Sequence, residues 1–306
     1  MKPSPLFSIV IPTHNRTALL TNCLRGIAAI EYPRAQFQVI VVNDGGAPIP
    51  EALTREWKDE FELCVLIQKN RGAGAARNAG AARARYEWLA FTDDDCVPTR
   101  DWLSELARAA AAHPNAALGG ETCNGLRENV HAEASECLAL FLREYYHRRK
   151  SNPSQVEFFA SNNFALPLRI FDAIGGFDER FRHAEDRDLC ARLRTSGCAL
   201  HDVPMARVVH SRAMNLVEFW GQHEANGAGA YDYHQNRARH GAHDLRLEPF
   251  EFYRRMMEYP GHYAPRTASQ LRILIALSQA ANAFGFLRQT VRARLVSRSV
   301  RVHSGL

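Results

Sequence analysis

A chain of 306 residues, 46 % hydrophobic and 23 % charged, is long enough for one large or two small cores and ordinary for a globular protein. Its seven Cys are scattered, odd in number and without a C-x-x-C pair, which argues for reduced thiols in a cytosol. The formal charge of +5 is uneven: Gly261–Leu306 holds seven Arg and no Asp or Glu, leaving about −2 on the rest, which speaks against a nucleic-acid-binding body.

The N-terminus, Met1-Lys2-Pro3, has no pattern of a cleaved leader, and no apolar stretch reaches the length of a membrane span. Phe7–Ile11 is a β-branched run closed by Pro12-Thr13-His14-Asn15-Arg16. Leu19, Leu20, Cys23, Leu24 and Ile27 then recur at helical spacing. A second strand, Gln38–Val42, ends in Asn43-Asp44-Gly45-Gly46, and a third lies near Leu63–Gln68. Asn70-Arg71-Gly72-Ala73-Gly74-Ala75-Ala76-Arg77-Asn78 opens an Ala-rich helix, where Arg71 and Arg77 suit phosphate or base contacts. The fourth strand, Trp88–Thr92, runs into Asp93-Asp94-Asp95.

Apolar strands alternating with amphipathic helices predict an α/β fold with a mostly parallel, Rossmann-like sheet covered by helices on both faces. In such sheets ligands bind beyond the carboxyl ends of the strands, where Thr13, Asp44 and the acidic triplet all fall. By strand alternation Asp93 and Asp95 share one side, and two converging carboxylates suit a hard divalent cation, Mg2+ or Mn2+. The alternative is a solvated acidic turn before Pro98.

In the second half, Trp102–Ala112 and Glu133–Arg149 are expected as helices. Strands are expected at Ala116–Gly120 and, interrupted at Ser161-Asn162-Asn163, over Val156–Leu166. Glu185 and Asp186 fall at the first turn of a helix, where a carboxylate is favoured and can act as a general base or merely cap. Two short strand signals, Ala199–Val203 and Ala206–Val209, end at His210, whose imidazole could serve as a metal ligand or a structural group. Asn215–His240 reads as a helix weakened by Gly221, Gly227 and Gly229.

Six segments occur in order: S-I-V-I-P-T-H-N-R, V-I-V-V-N-D-G-G, N-R-G-A-G-A-A-R-N, F-T-D-D-D-C, G-G-F-D-E and A-E-D-R-D-L-C-A-R-L. Together, over roughly Phe7 to His210, they closely resemble the catalytic domain of glycosyltransferase family 2, which has a GT-A fold. The resemblance implies a metal-dependent inverting transfer from a nucleotide-diphosphate sugar, UDP-linked by expectation, to an acceptor hydroxyl. The implied product is a polysaccharide, a glycolipid or a cell-envelope glycan, and the acceptor a saccharide or a lipid-linked one. It implies Asp186 as catalytic base with Glu185 beside it, and Asp95, Asp93 and His210 around Mn2+ or Mg2+. It also implies donor contacts from Pro12, Thr13, His14, Arg16, Asp44, Arg71, Arg77, Asp93, Asp94, Asn162 and Asn163. The chain differs from the family pattern at His14 (usually Tyr), Asn43 (usually Asp) and Gly46 (usually Ser). A nucleotidyltransferase would need a phosphate-gripping Gly-rich loop after the first strand, and Pro12–Arg16 is not one; a silent saccharide-binding scaffold is the other alternative.

The expected division is a catalytic domain over 1–212, with a nucleotide-sugar-binding half (1–100) and an acceptor-binding half (101–212). A helical extension follows over 213–306. Acceptor specificity is expected in the loops Thr122–Glu133 and His147–Gln155. Ile273, Leu277, Ala280, Ala281, Phe284, Leu287, Val291 and Leu295 follow helical spacing among six Arg over 270–301. That pattern fits either peripheral contact with an anionic membrane, on the inner face of the plasma membrane of a cytoplasmic protein, or a helix packed against protein.

Overall fold

The apolar runs expected as strands lie side by side: β1 (Phe7–Thr13), β2 (Phe37–Asp44), β3 (Glu62–Gln68) and β4 (Trp88–Thr92). They pair in parallel in the order β3-β2-β1-β4, with Phe7 opposite both Phe37 and Trp88. In this computed structural model, which describes residues 4–147, 158–239 and 248–303, the alternation of each strand feeds two cores. Ile9, Ile11, Val39, Val41 and Ala90 pack on one face; Val10, Ile40, Val42, Leu89 and Phe91 pack on the other. Both faces are dry, which is why these strands read as unbroken apolar runs rather than alternating ones.

The connecting helices are α1 (Thr17–Ala28), α2 (Glu51–Lys58) and α3 (Ala73–Ala81). The sheet continues through β5 (Cys96–Pro98), helix α4 (Trp102–Ala112), β6 (Ala117–Asn124), α5 (Val130–His147) and β7 (Asn163–Pro167). It closes with α6 (Leu168–Ala173), α7 (Glu185–Thr195) and β8 (Leu200–His210). The eight strands run β3-β2-β1-β4-β7-β6-β8-β5, with β7 antiparallel to both neighbours and β5 antiparallel to β8. The sheet is therefore mixed, and its parallel half is the one the sequence announces.

Three expectations shift. The two strand signals before His210 are one strand: β8 runs through Pro204, and the register against β6 slips between Gly120 and Glu121. An irregularity of that kind is where a strand tolerates proline. The strand expected over Val156–Leu166 begins only at Asn163, after a turn at Ser161-Asn162, and Val156 and Glu157 lie outside the described residues. Residues 148–155 of the second specificity loop also lie outside them.

The chain forms two compact units, residues 1–125 with 145–212 and residues 126–144 with 213–306. Leu126–Glu144, placed by sequence in the acceptor-binding half of the catalytic domain, is instead grouped with the C-terminal helices α8 (Leu216–Arg239), α9 (Phe250–Glu258), α10 (Pro260–Tyr263) and α11 (Ala268–His303). Within this unit the Phe141 and Phe252 rings lie 5.3 Å apart, and the Tyr259 hydroxyl donates to Glu144 at 2.7 Å. Among the described residues no helix is long and apolar enough to cross a membrane.

The glycines that weaken α8 in sequence explain its packing. A Cβ on Gly227 would lie 1.9 Å from the Asn282 carbonyl oxygen of α11, and one on Gly285 would lie 1.9 Å from that of Glu224. Only hydrogen at these positions lets the two backbones approach so closely. Gly227→Ala is expected to destabilise this unit by about 1–3 kcal/mol, seen as a lower urea midpoint. Gly221→Ala, where a Cβ meets open space, should instead raise it by about 0.5–1 kcal/mol through helix propensity. Equal shifts for the two variants would refute this account.

Candidate active site

Parallel pairing puts the carboxyl ends of β1, β2 and β4 on one edge, with Thr13 opposite Asn43. Beyond β1 the chain kinks at Asn15, whose φ of 57° is the left-handed conformation that Asn tolerates, and Asn15 Oδ1 accepts the Ala47 N–H at 2.7 Å. The kink brings Arg16 over the acidic triplet. Its Nη1 bridges Asp94 Oδ1 at 3.1 Å and Asp95 Oδ2 at 3.0 Å, while Thr13 Oγ1 donates to Asp94 Oδ2 at 2.7 Å.

The triplet itself is not extended. It forms a turn in which the Cys96 N–H donates to the Asp93 carbonyl at 3.1 Å, so strand alternation does not set the directions of its side chains. Instead, cations set their directions, with Arg16 shared by Asp94 and Asp95 and a separate arginine on Asp93. Asp93 Oδ1 accepts from Arg77 Nη2 at 2.6 Å. Asp95 lies between Arg16 and His210, with Nε2 of His210 at 3.5 Å from Oδ1. The β5–β8 pairing, which sets Cys96 opposite His210, delivers that imidazole, and the Ser211 N–H locks the Asp95 carbonyl at 2.8 Å.

Arg77 is the hub. Its side chain is 3 % exposed, lies 5.5 Å over the Phe177 ring, and sends Nη1 to Glu185 Oε1 at 3.0 Å. One guanidinium thereby ties the acidic triplet after β4 to the first turn of α7, about a hundred residues later. Its Nε is buried without a partner, so its position follows from the two carboxylates and the ring.

Asp186 follows Glu185 at the start of α7, half-buried, with Oδ1 accepting the Arg187 N–H at 2.8 Å. Burial and the Glu185 charge push its carboxyl up to about 6, against the opposing pull of Arg77. Burial likewise takes Asp94 to about 6 despite Thr13 and Arg16. Burial works the same way on Asp95, but the hydrogen bond and charge of His210, with Arg16 and Arg212, hold it below the ordinary carboxylate value. Ala184, just before Glu185, has a φ of 66°, a strained position for a residue with a Cβ.

Asp44 organises the loop before α3. Its Oδ1 accepts from Gln68 Nε2 at 2.7 Å and from the Arg71 N–H at 2.9 Å, and its Oδ2 from the Gly72 N–H at 2.8 Å. Gly72 needs its φ of 95° to turn those amides inward. His14, exposed beside Pro12, donates through Nδ1 to the Asp44 carbonyl at 2.9 Å when that tautomer is present. Arg71 pairs with Glu179 across to the G-G-F-D-E loop.

Asn162 accepts the Thr122 hydroxyl at 3.2 Å. Asn163, expected to face the donor or acceptor, is turned into the sheet. Its Oδ1 accepts the Trp102 indole N–H at 2.8 Å, and its Nδ2 donates to the Glu121 and Ala206 carbonyls at 2.9 Å. With every amide hydrogen and the carbonyl occupied at 2 % exposure, it stitches β6, β7 and β8 together rather than meeting a ligand.

Other positioning residues escape motif reading. Asn78 exchanges two 2.8 Å hydrogen bonds with the backbone of Phe177. Arg192 holds Asp188 and the Ile174 and Gly176 carbonyls, each at 2.7 Å, which fixes α7 against the glycine turn. Its i,i+4 spacing from Asp188 is the signal that could have flagged it.

Among the described residues no three His, Cys, Asp or Glu side chains converge as a preformed metal cage. Asp95 and His210 do offer a carboxylate oxygen and an imidazole nitrogen to one point, a donor set that fits a divalent cation with positions left for phosphate oxygens.

The sequence profile described as "Glycosyl transferase family 2" matches residues 8–175. The chain belongs to glycosyl transferase family 2. Proteins similar to it include the validoxylamine A glucosyltransferase of Streptomyces hygroscopicus subsp. jinggangensis, 29 % identical over 66 % of this chain and 53 % of that protein. Another is the pre-mycofactocin glycosyltransferase of Mycobacterium tuberculosis, 29 % identical over 73 % of this chain and 46 % of that protein. The chain spans about half the length of these curated relatives. Its fold is similar to that of the mannosyltransferase PcManGT from Pyrobaculum calidifontis, solved with GDP-Man and Mn2+, with a TM-score of 0.60 at 18 % identity. That alignment covers 98 % of this chain and 87 % of the other. The fold of this chain is thus the GT-A-like α/β sheet with a C-terminal helical region that the sequence predicts.

Proposed function

We propose that this chain transfers a sugar from a nucleotide-diphosphate sugar to an acceptor hydroxyl with inversion at the anomeric carbon. The observation that carries this reading is the Arg77 bridge, which sets the triplet that would face the diphosphate beside the turn that bears the base. Asp186 accepts the proton of the acceptor hydroxyl as its oxygen attacks the anomeric carbon. The donor's diphosphate departs from the opposite face, so one displacement inverts the centre and no protein nucleophile is needed. Arg16 and Arg77 keep the carboxylates of the triplet oriented, and the amides turned by Asp44 shape the loop that meets the nucleotide.

When bound at Asp95 and His210, with Asp93 alongside, Mn2+ or Mg2+ supplies neutralisation of the charge that develops on the leaving diphosphate. The support from relatives is of one kind: PcManGT was solved with GDP-Man and Mn2+, and TarS of S. aureus (TM-score 0.51) with UDP-GlcNAc. UDP is the nucleotide we propose first, and a saccharide or a lipid-linked acceptor completes the reaction.

A thermal-shift panel of UDP-, GDP-, dTDP- and CMP-sugars with and without Mn2+ tests the reading. The expected result is stabilisation by one donor that requires the cation, worth about 2.7 kcal/mol at a hundredfold excess over Kd. His210→Ala should weaken Mn2+ by at least about 10-fold, since losing a direct ligand costs no less than losing an outer-shell partner, roughly 10–100-fold. Donor stabilisation that is indifferent to Mn2+ in both proteins would sink the metal assignment. No shift with any donor would favour a silent scaffold.

A further inference from the structure

Helix α11 carries two apolar faces, and among the described residues one of them is packed within the C-terminal unit while the other is exposed. Leu271, Leu274, Ile275, Ser278 and Ala281 are buried within the C-terminal unit, and Gly285 meets α8 backbone to backbone. On another side, Ile273, Phe284, Leu287, Val291 and Leu295 are 49–70 % exposed, and Leu277 and Ala280 complete their row. At about 100° per residue these seven positions fall within an arc of about 80°, a stripe roughly six turns long. Single exposed apolar residues are ordinary; an ordered row of this length marks a contact surface.

We propose that this stripe seats the chain on an anionic lipid bilayer surface. The charge around the stripe selects the occupant. Arg272 and Arg294 fall on one flank and Arg292 on the other, where Arg288 pairs with Glu224 of α8, and Gly261–Leu306 contains seven Arg and no acidic residue. A second copy laid stripe to stripe would bring two copies of a tail with seven Arg and no acidic residue together, with Glu224 of α8 already committed to Arg288 and to the Trp220 indole N–H. A bilayer with acidic headgroups meets both features at once: acyl chains take the stripe and phosphates take the flanking guanidinium groups. Trp220 of α8, whose ring lies 6.2 Å from that of Phe284, adds an aromatic residue suited to the headgroup level. The helix lies on such a surface rather than through it, since it is not apolar enough to span. The inference stands apart from the transferase reading, because it rests on α11 and α8 alone.

Deleting the tail would be a poor test, because its other face completes the core of the C-terminal unit. The full chain should instead co-sediment with phosphatidylcholine vesicles containing a quarter phosphatidylglycerol, at least tenfold more tightly than with pure phosphatidylcholine. Leu287→Glu with Leu295→Glu, at 63 % and 61 % exposure, should lower anionic-vesicle binding at least tenfold while leaving the unfolding midpoint unchanged. Arg292→Gln with Arg294→Gln keeps the stripe and should still lower it at least fivefold. Equal or absent binding to both vesicle types would overturn the proposal. So would a light-scattering dimer that Leu287→Glu converts to monomer, since the stripe would then belong to a second copy.

Discussion

Asp186→Asn is expected to lower turnover by about 10²–10⁴-fold while leaving donor affinity within a few-fold of the parent protein. The amide keeps the size and the Arg187 N–H contact of the carboxylate but cannot take a proton. The parent enzyme should also show its base in the pH profile. With the Asp186 carboxyl pushed up to about 6, it is protonated and idle below that pH, so kcat should climb through pH 6 and level above it. The sign for stability is opposite. A carboxyl whose folded value exceeds its unfolded one binds a proton more tightly when folded, so its ionised form costs stability at pH 7. Asp186→Asn should therefore be at least as stable as the parent at pH 7, a trade of stability for function at a reactive site. Loss of donor binding together with activity would show that the residue holds the donor rather than activates the acceptor. Retained turnover would remove it from the mechanism.

The parts of this site legible in the sequence are those encoded within a few residues. β1, β2 and β4 announce themselves because they are dry on both faces, and the polar residues that end them necessarily share an edge. Glu185 and Asp186 are legible as a helix start because helical spacing follows them. What pairing across the chain decides is not legible locally. The alternation argument for Asp93 and Asp95 fails because the Cys96 N–H closes a turn on Asp93, and the sharing of these acids between Arg77, Arg16 and His210 depends on segments far apart in the chain, Asp95 and His210 the farthest. Asn163 looks like a ligand residue because polar residues interrupt a strand; it is instead satisfied by Trp102 and by carbonyls of two neighbouring strands. Gly227 reads as a flaw in a helix until α11 is laid against it.

Arg77→Gln is expected to have the largest structural effect of any single change near the site. The guanidinium is 3 % exposed, and the carboxylates it serves are 29 % exposed for Asp93 and 13 % for Glu185. Without it, two partly desolvated acids lose their shared cation. Removing one partner of a buried ion pair costs about 3–5 kcal/mol, and the residual exposure of Asp93 places this case near 3 kcal/mol, read as a lower denaturant midpoint. Arg77→Lys should not restore it. One ammonium cannot reach both carboxylates with the planar fork that also stacks on Phe177. The same substitution separates a structural role from an electrostatic one. Arg77 opposes the upward push on Asp186, so in a folded Arg77→Gln protein the rise of kcat should move above pH 6. A midpoint within about 1 kcal/mol of the parent, the scale of an exposed ion pair, would mean that the bridge contributes no more than a surface contact. A lowered midpoint with an unmoved pH profile would leave Arg77 as scaffold alone, with Glu185 and burial setting the proton affinity of Asp186.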